Sequence, residues 1–109
     1  MANVLVHDTV TLPCNTSLDS SGVWYYQQSC DDFEHGMHIC SSPIAVSVGS
    51  RYQIRRNAPG DNSLLINDVA KGMTGLYICK DRELDTIQYS VLLSVISKYN
   101  VVLFCHLYQ

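Results

Sequence analysis

Short β-prone stretches separated by turn-rich segments run along most of this chain. Val10, Leu12 and Cys14 alternate with Thr11 and Pro13, and no window keeps apolar residues at a helical period for three turns. Turns are indicated by the segments NTSLDSSG, VGS, NAPGDN and DRELD. The further strand-like stretches are 23–28, 44–48, 51–55, 63–66, 76–80 and 87–95. This spacing predicts an all-β chain folded as a sandwich or barrel.

Length and charge restrict the classes of protein to which the chain can belong. With 109 residues it is long enough for one domain with a core of its own. Hydrophobic residues make up 47% and charged residues 16%, which is a globular composition. A net charge of −3 with only seven basic residues provides no phosphate-binding stripe, so we expect no nucleic-acid partner.

Membrane-spanning and targeting signals are not visible in this sequence. The longest apolar stretch, 90–105, is interrupted by Lys98 and Asn100, and the N-terminus has no basic start followed by a long apolar run. We therefore expect membrane attachment only through a segment absent from this chain. Five cysteines in a domain of this size favour an oxidising compartment, and the odd number leaves one thiol over.

A set of residues at particular spacings carries a family resemblance. Cys14 ends a V-x-L-x-C stretch, Trp24 follows ten residues later, and G-x-Y-x-C is formed by Gly75, Tyr77 and Cys79. An L-x-I-x-x-V motif, 64–69, precedes it. From about 4 to 95 the chain resembles a variable-type (V-set) domain of the immunoglobulin superfamily.

The resemblance implies a two-sheet Greek-key β-sandwich of the immunoglobulin V-type over residues 1–96, with 97–109 as a tail, a stalk or an added strand. It implies a disulfide between Cys14 and Cys79 across the core, with the indole of Trp24 packed on it. Tyr77 would return its hydroxyl to the main chain in a tyrosine corner, and Gly75 would supply the tight bend before it. The length between Trp24 and Cys79 leaves room for the extra strands C′ and C″.

The chain departs from the family pattern in three respects, one of which is the tail, 97–109, which matches nothing in the pattern. Met73 occupies the place where the family usually has an aspartate that pairs with an arginine, so Arg51 loses its expected partner. No F-G-x-G motif opens the last strand, so the chain does not resemble an antibody or T-cell receptor variable domain.

The stretch CDDFEHGMHIC is open to more than one interpretation. In the V-set frame Cys30 ends strand C and Cys40 lies on strand C′, with 31–39 as the hairpin between them, so a second disulfide is expected. A metal site formed by these cysteines with His35 and His38 is the alternative, although the order C-x4-H-x2-H-x-C does not match common zinc spacing. Free or differently paired cysteines, including Cys105, are the third possibility.

Catalytic and cofactor-binding patterns are absent from the sequence. It contains no G-x-S-x-G, no H-E-x-x-H and no glycine-rich phosphate loop, and the adjacent Asp31 and Asp32 would point apart on an extended chain. We therefore expect no enzyme, no cofactor and no bound metal.

Strand alternation predicts an apolar patch on the outer face of the sheet that contains strands C and F. If Trp24 and Cys79 point inward, then Tyr25 and its neighbours point outward. Exposed apolar patches rimmed by polar groups mark interfaces. W-Y-x-Q is similar to the pairing segment of light-chain variable domains, which implies face-to-face pairing with itself or another chain. The predicted face comprises Tyr25, Gln27, Leu76, Ile78 and Lys80, joined by Asp81, Arg82 and Glu83 of the DRELD loop.

These features together favour an extracellular protein-recognition domain of an immune-type cell-surface or secreted receptor, binding through its C–C′–F–G face and homodimerising. A homophilic cell-adhesion molecule is the alternative within the binding class. A metal- or redox-responsive module at Cys30, His35, His38 and Cys40 is the alternative from another class. Asn15 opens the sequon N-T-S and is a candidate for glycosylation.

Overall fold

The computed structural model describes residues 2–17, 21–32 and 36–97, and these form two β-sheets. One sheet has six strands and the other three. The strands are β1 (Ala2–Leu5), β2 (Val10–Leu12), β3 (Gly22–Asp32), β4 (Gly36–Ile39), β5 (Ile44–Ala45), β6 (Tyr52–Arg55), β7 (Ser63–Ile66), β8 (Gly75–Asp81) and β9 (Thr86–Ile96). A single 3-10 turn, Lys71–Met73, precedes β8. The predicted all-β sandwich is confirmed.

The six-stranded sheet has the order β1-β9-β8-β3-β4, and β5 also pairs with β3. β1 runs parallel to β9, whereas the other pairs in this sheet are antiparallel. The second sheet has the order β2-β7-β6. β3, β8 and β9 lie at the centre of the larger sheet and provide its broad outer face.

β4 and β5 are two parts of one edge strand beside β3. Ile39 lies opposite Ser29, and Ala45 lies opposite Tyr25, so the second part is shifted by two residues relative to the first. The side chain of Ser41 fills the break, because its hydroxyl accepts a 2.6 Å hydrogen bond from the backbone N–H of Gln28. Such a bulge bends the strand locally. Within the described residues the chain passes from this strand directly to β6, so strand C″, which the sequence led us to expect, is absent.

The predicted hairpin, 31–39, contains the end of β3 and the whole of β4. β3 extends to Asp32 and β4 begins at Gly36, and residues 33–35 lie outside the described residues. The exact ends of these strands could not be predicted from the sequence, because polar and charged residues at an exposed sheet edge show no apolar alternation.

The core lies between the sheets and is centred on the predicted disulfide. Cys14 and Cys79 are joined with their Cα atoms 6.3 Å apart, and both are fully buried. Trp24 lies directly opposite Cys79 on β3 and is also buried. Its indole N–H donates a 2.8 Å hydrogen bond to the carbonyl oxygen of Asn62, which satisfies the one polar atom that this large side chain carries into the core.

The predicted tyrosine corner is present. The buried hydroxyl of Tyr77 donates a 2.9 Å hydrogen bond to the carbonyl oxygen of Met73, four residues earlier. Burial is the main cause that raises the pKa of Tyr77, and a hydrogen bond with the Tyr52 hydroxyl raises it further. This side chain therefore stays a neutral donor at physiological pH and serves the fold.

Gly75 has a different role from the predicted bend. It is the first residue of β8, opposite Gln28, and a Cβ at this position would collide with the carbonyl oxygen of Gln27 and lie 2.7 Å from the Tyr26 ring. Close approach of β8 to β3, rather than a turn, is what requires glycine here.

Arg51 has found another partner in place of the missing aspartate. Met73 is buried, and the Arg51 guanidinium lies 3.9 Å from a carboxylate oxygen of Asp68. The other oxygen of Asp68 is 2.6 Å from Nδ1 of His7. Asp68, at the turn after β7, therefore links the β1–β2 turn to the start of β6.

Candidate functional site

The outer face of the six-stranded sheet brings together the predicted apolar residues. Tyr25 on β3 lies directly opposite Ile78 on β8, and Gln27 lies opposite Leu76 in the same pair of strands. All four are only partly buried, whereas the residues that alternate with them in β8 are buried. On the far side of β8, Leu92 lies opposite Leu76. Tyrosyl and aliphatic side chains are therefore adjacent and partly exposed on this face of the sheet.

Lys80 forms a charged border to this surface. Its ammonium nitrogen is 5.9 Å from the centroid of the Tyr25 ring, within the range of a cation–π contact. The same nitrogen is 3.9 Å from a carboxylate oxygen of Asp85 on the following turn. Both contacts lie at the surface, so they orient the lysine and contribute little to the free energy of folding.

Gln27 is held in place by the edge-strand bulge. Its amide nitrogen donates a 3.3 Å hydrogen bond to the carbonyl oxygen of Ser41. A polar side chain fixed beside an apolar patch loses less conformational entropy when a partner binds it. Gln27 is thus held in one orientation beside the apolar patch.

Asp81 does not belong to the outer face, which corrects the sequence-based assignment. Its side chain is 1% exposed and points to the sandwich interior, in step with Tyr77 and Cys79. The carboxylate accepts hydrogen bonds of 3.0 and 3.1 Å from the backbone N–H groups of Glu83 and Leu84. Asp81 therefore holds the β8–β9 turn in shape, and alternation along β8 already implied its inward direction.

The exposed β8–β9 turn carries Arg82 and Glu83, as predicted, and two apolar side chains that were not. Leu84 is 63% exposed and Ile87 is 60% exposed. Ile87 lies opposite Lys80, so it continues the outer face. The sequence-based prediction for DRELD relied on its charged residues. Alternation within the following strand could have indicated that Ile87 faces outward.

The stretch CDDFEHGMHIC is tied together by the second disulfide. Cys30 in β3 is bonded to Cys40, the residue after β4, with Cα atoms 5.8 Å apart. The Nδ1 atom of His38 is 3.2 Å from the carbonyl oxygen of Gly36. His35 lies outside the described residues. No group of three potential metal ligands occurs in the part of the chain that the structure describes.

Several further predicted features have a definite location. Asn15 is exposed and forms an isolated bridge with Asp61, and its glycosylation stays a prediction. Cys105 and the tail from 98 onward lie outside the described residues. No helix among the described residues is long and apolar enough to cross a membrane.

Solved structures similar to this chain were found by fold comparison. The extracellular domains of the voltage-gated sodium channel beta4 subunit, solved as parallel homodimers, match with a TM-score of 0.54 and 19% identity over 88% of this chain and 89% of that chain. The ZIG-8 IG1 homodimer matches with a TM-score of 0.57 and 16% identity over 88% of this chain and 78% of that chain. This chain has the immunoglobulin fold.

A third immunoglobulin structure, the ZIG-8–RIG-5 IG1–IG1 heterodimer, matches with a TM-score of 0.56 and 17% identity over 87% of this chain and 80% of that chain. No protein-family model matches the sequence, and no curated protein does so. In the letters of this fold β2 is strand B, β3 is C, β4 and β5 form C′, β6 is D, β7 is E, β8 is F and β9 is G. The outer face described above is therefore the C–C′–F–G face of an immunoglobulin domain.

Proposed function

We propose that this immunoglobulin domain is an extracellular protein-recognition module that binds partners through its C–C′–F–G face and homodimerises through the same face. One observation carries the proposal: Tyr25, Leu76 and Ile78 lie side by side on the outer face of the sheet. Polar residues are expected on a face that remains in contact with water. Aromatic and aliphatic side chains of this kind provide most of the binding free energy at interfaces.

The surroundings of the patch support recognition of another protein. Gln27 and Lys80 border it and supply hydrogen bonding and charge. The Cys30–Cys40 disulfide ties strand C to C′ and stiffens the adjoining edge. Stable disulfides are a feature of extracellular compartments, so we propose that the domain lies at the cell surface or in a secreted protein. We propose that this protein is an immune-type receptor with a V-type domain.

The C–C′–F–G face is tested by placing a charge at its centre. Ile78→Arg introduces an unpaired cation where a second copy would exclude water, so we expect sedimentation equilibrium to show loss of the dimer. Leu65→Arg is the matched control, since Leu65 is also partly buried and lies on strand E of the other sheet. A dimer of unchanged affinity in Ile78→Arg would place the interface elsewhere.

Homophilic adhesion is the second candidate function. The structure of the sodium channel beta4 extracellular domains is described as explaining a role in cell–cell adhesion through a parallel homodimer, and ZIG-8 IG1 was also solved as a homodimer. If this domain acts in the same way, beads coated with it should aggregate with one another. Beads coated with Ile78→Arg should stay dispersed.

A further inference from the structure

The C′ edge of the larger sheet borders the C–C′–F–G face and is a second exposed surface. Ile44 in β5 is 62% exposed and Val48, just after it, is 68% exposed. β5 pairs with β3 on one side only, since the described residues place no strand on its other side. The main chain of β5 is therefore available to a further strand.

The direction of the free main-chain groups follows from the hydrogen bonds to strand C. The N–H of Val46 donates a 2.9 Å hydrogen bond to the carbonyl oxygen of Trp24. In an antiparallel ladder alternate residues bond to opposite sides, so the N–H and C=O of Ala45 point away from strand C. Ala45 lies opposite Tyr25, and its side chain therefore faces outward while those of its neighbours face the gap between the sheets.

The C′ edge carries none of the charge that is found at the edge formed by strand D. Proteins protect exposed strands with charge, proline or short length. Strand D carries Arg55 and is preceded by Arg51, whereas the segment 41–50, SSPIAVSVGS, contains no charged residue. β5 has two residues and Pro43 directly precedes it, so short length and proline limit pairing at this edge but charge does not oppose it.

An apolar cavity lies behind this edge, at the place that strand C″ would cover in a nine-stranded domain. It has a volume of about 190 Å³ and opens between strand C′ and strand D. Two aromatic rings and the inward side chains of C′ form its walls. The lining residues are Tyr26, Ile44, Ala45, Val46, Ser47 and Tyr52.

We infer that the C′ edge is a strand-pairing site for the C′ edge of a second copy of this chain. The two β5 strands would run antiparallel across a two-fold axis, and Ala45 of each would exchange main-chain hydrogen bonds with the partner. The choice of a second copy rests on charge: a seam between two uncharged segments brings no like charges together, although each chain carries a net charge of −3. The same segment of the second copy also carries alternating apolar side chains, which are suited to an apolar cavity.

This site adds to the proposed C–C′–F–G interface and has a consequence for assembly. A domain with two separate self-complementary surfaces does not stop at a dimer, because each copy uses one surface for one neighbour and leaves the other free. The result is an assembly larger than a dimer, either a linear array or a closed ring. The short edge makes its own pairing weak, in the micromolar to millimolar range, since so few residues bury little area.

The two interfaces are separated by combining variants. Ala45→Pro removes the outward N–H but leaves the Val46 N–H bond to strand C intact, and Ala45→Thr is the matched control that keeps the N–H. We expect sedimentation velocity of the full chain to show species larger than dimers in wild type, dimers at most in Ile78→Arg, and monomers in the Ile78→Arg/Ala45→Pro double variant. Covalent dimers formed by Cys105 are recognised on a non-reducing gel.

The outcomes distinguish the two proposals. A dimer in Ile78→Arg that Ala45→Pro dissociates supports the edge site, whereas Ile78→Arg that stays monomeric up to about 1 mM overturns it. Assembly lost in Ala45→Pro but unaffected by Ile78→Arg supports the edge and contradicts the C–C′–F–G face. Hydrogen exchange of the Ala45 amide in wild type requires no variant: exchange should slow as protein concentration rises, and a rate independent of concentration would reject the edge site.

Discussion

The hydroxyl of Tyr77 and the carbonyl oxygen of Met73 are joined by a buried hydrogen bond of 2.9 Å. This bond ties strand F to the turn before it and positions the outward-facing Leu76 and Ile78 on either side of Tyr77. Tyr77→Phe should leave the Met73 carbonyl without its partner and lower the free energy of unfolding by about 1 to 2 kcal/mol, measured by urea denaturation. Tyr25→Phe on the outer face is the control, and an equal loss there would show that the corner is not responsible.

Gly75 should not tolerate even one added methyl group. In Gly75→Ala the Cβ would press against the Gln27 carbonyl oxygen, and strands C and F would have to separate. We expect a loss of about 2 to 3 kcal/mol, comparable to overpacking of a core. Gly49→Ala is the control because a Cβ added at Gly49 would meet no atom within 4 Å. Equal unfolding midpoints for the two variants would contradict close approach as the reason for glycine.

Asp81 should behave as a structural residue of the β8–β9 turn. Asp81→Asn weakens the acceptors of the Glu83 and Leu84 N–H groups, and we expect it to cost about 1 to 2 kcal/mol and to speed hydrogen exchange of those two amides. Asp85→Asn, four residues on and largely exposed, should leave both quantities unchanged. Faster amide exchange in Asp85→Asn but not in Asp81→Asn would show that Asp85, rather than Asp81, holds the turn.

Stability in acid should depend on Asp68. The hydrogen bond from His7 is the main cause that lowers the pKa of Asp68 below its ordinary value of 3.8, and Arg51 contributes less. A carboxyl with a lowered pKa in the folded chain adds stability above its unfolded pKa, and this contribution is lost as the pH falls through the folded pKa. Asp68→Asn should therefore reduce the fall in unfolding free energy below about pH 4. Identical pH profiles for the two proteins would exclude this contribution.

The two disulfides should differ in their effect on stability. Cys14–Cys79 spans 65 residues and Cys30–Cys40 spans 10. Loop-closure entropy gives about 4 kcal/mol for the first and about 2.7 kcal/mol for the second. Cys30→Ala/Cys40→Ala should remain folded by circular dichroism, whereas Cys14→Ala/Cys79→Ala should unfold at much lower urea concentration. The reverse order would show that the hairpin bridge dominates.

The sequence by itself determined the sandwich and the outward direction of Tyr25 and Ile78. These features follow from local alternation and from spacings that the fold requires, so they can be read without coordinates. The Cys14–Cys79 and Cys30–Cys40 bonds were both expected only once the frame of the immunoglobulin fold had been adopted.

Tertiary structure alone decided the hydrogen bonds of Asp81 to the β8–β9 turn, the pairing of Arg51 with Asp68, and the C′ edge beside Ala45, which no described strand pairs. Each depends on how separate parts of the chain are brought together: the backbone of a turn, a substitute carboxylate, and the strands that the described residues place on either side of β5. No local pattern encodes them, because a carboxylate that holds a turn and one that faces water have the same letter, and an edge strand differs from a central strand only in what packs beside it.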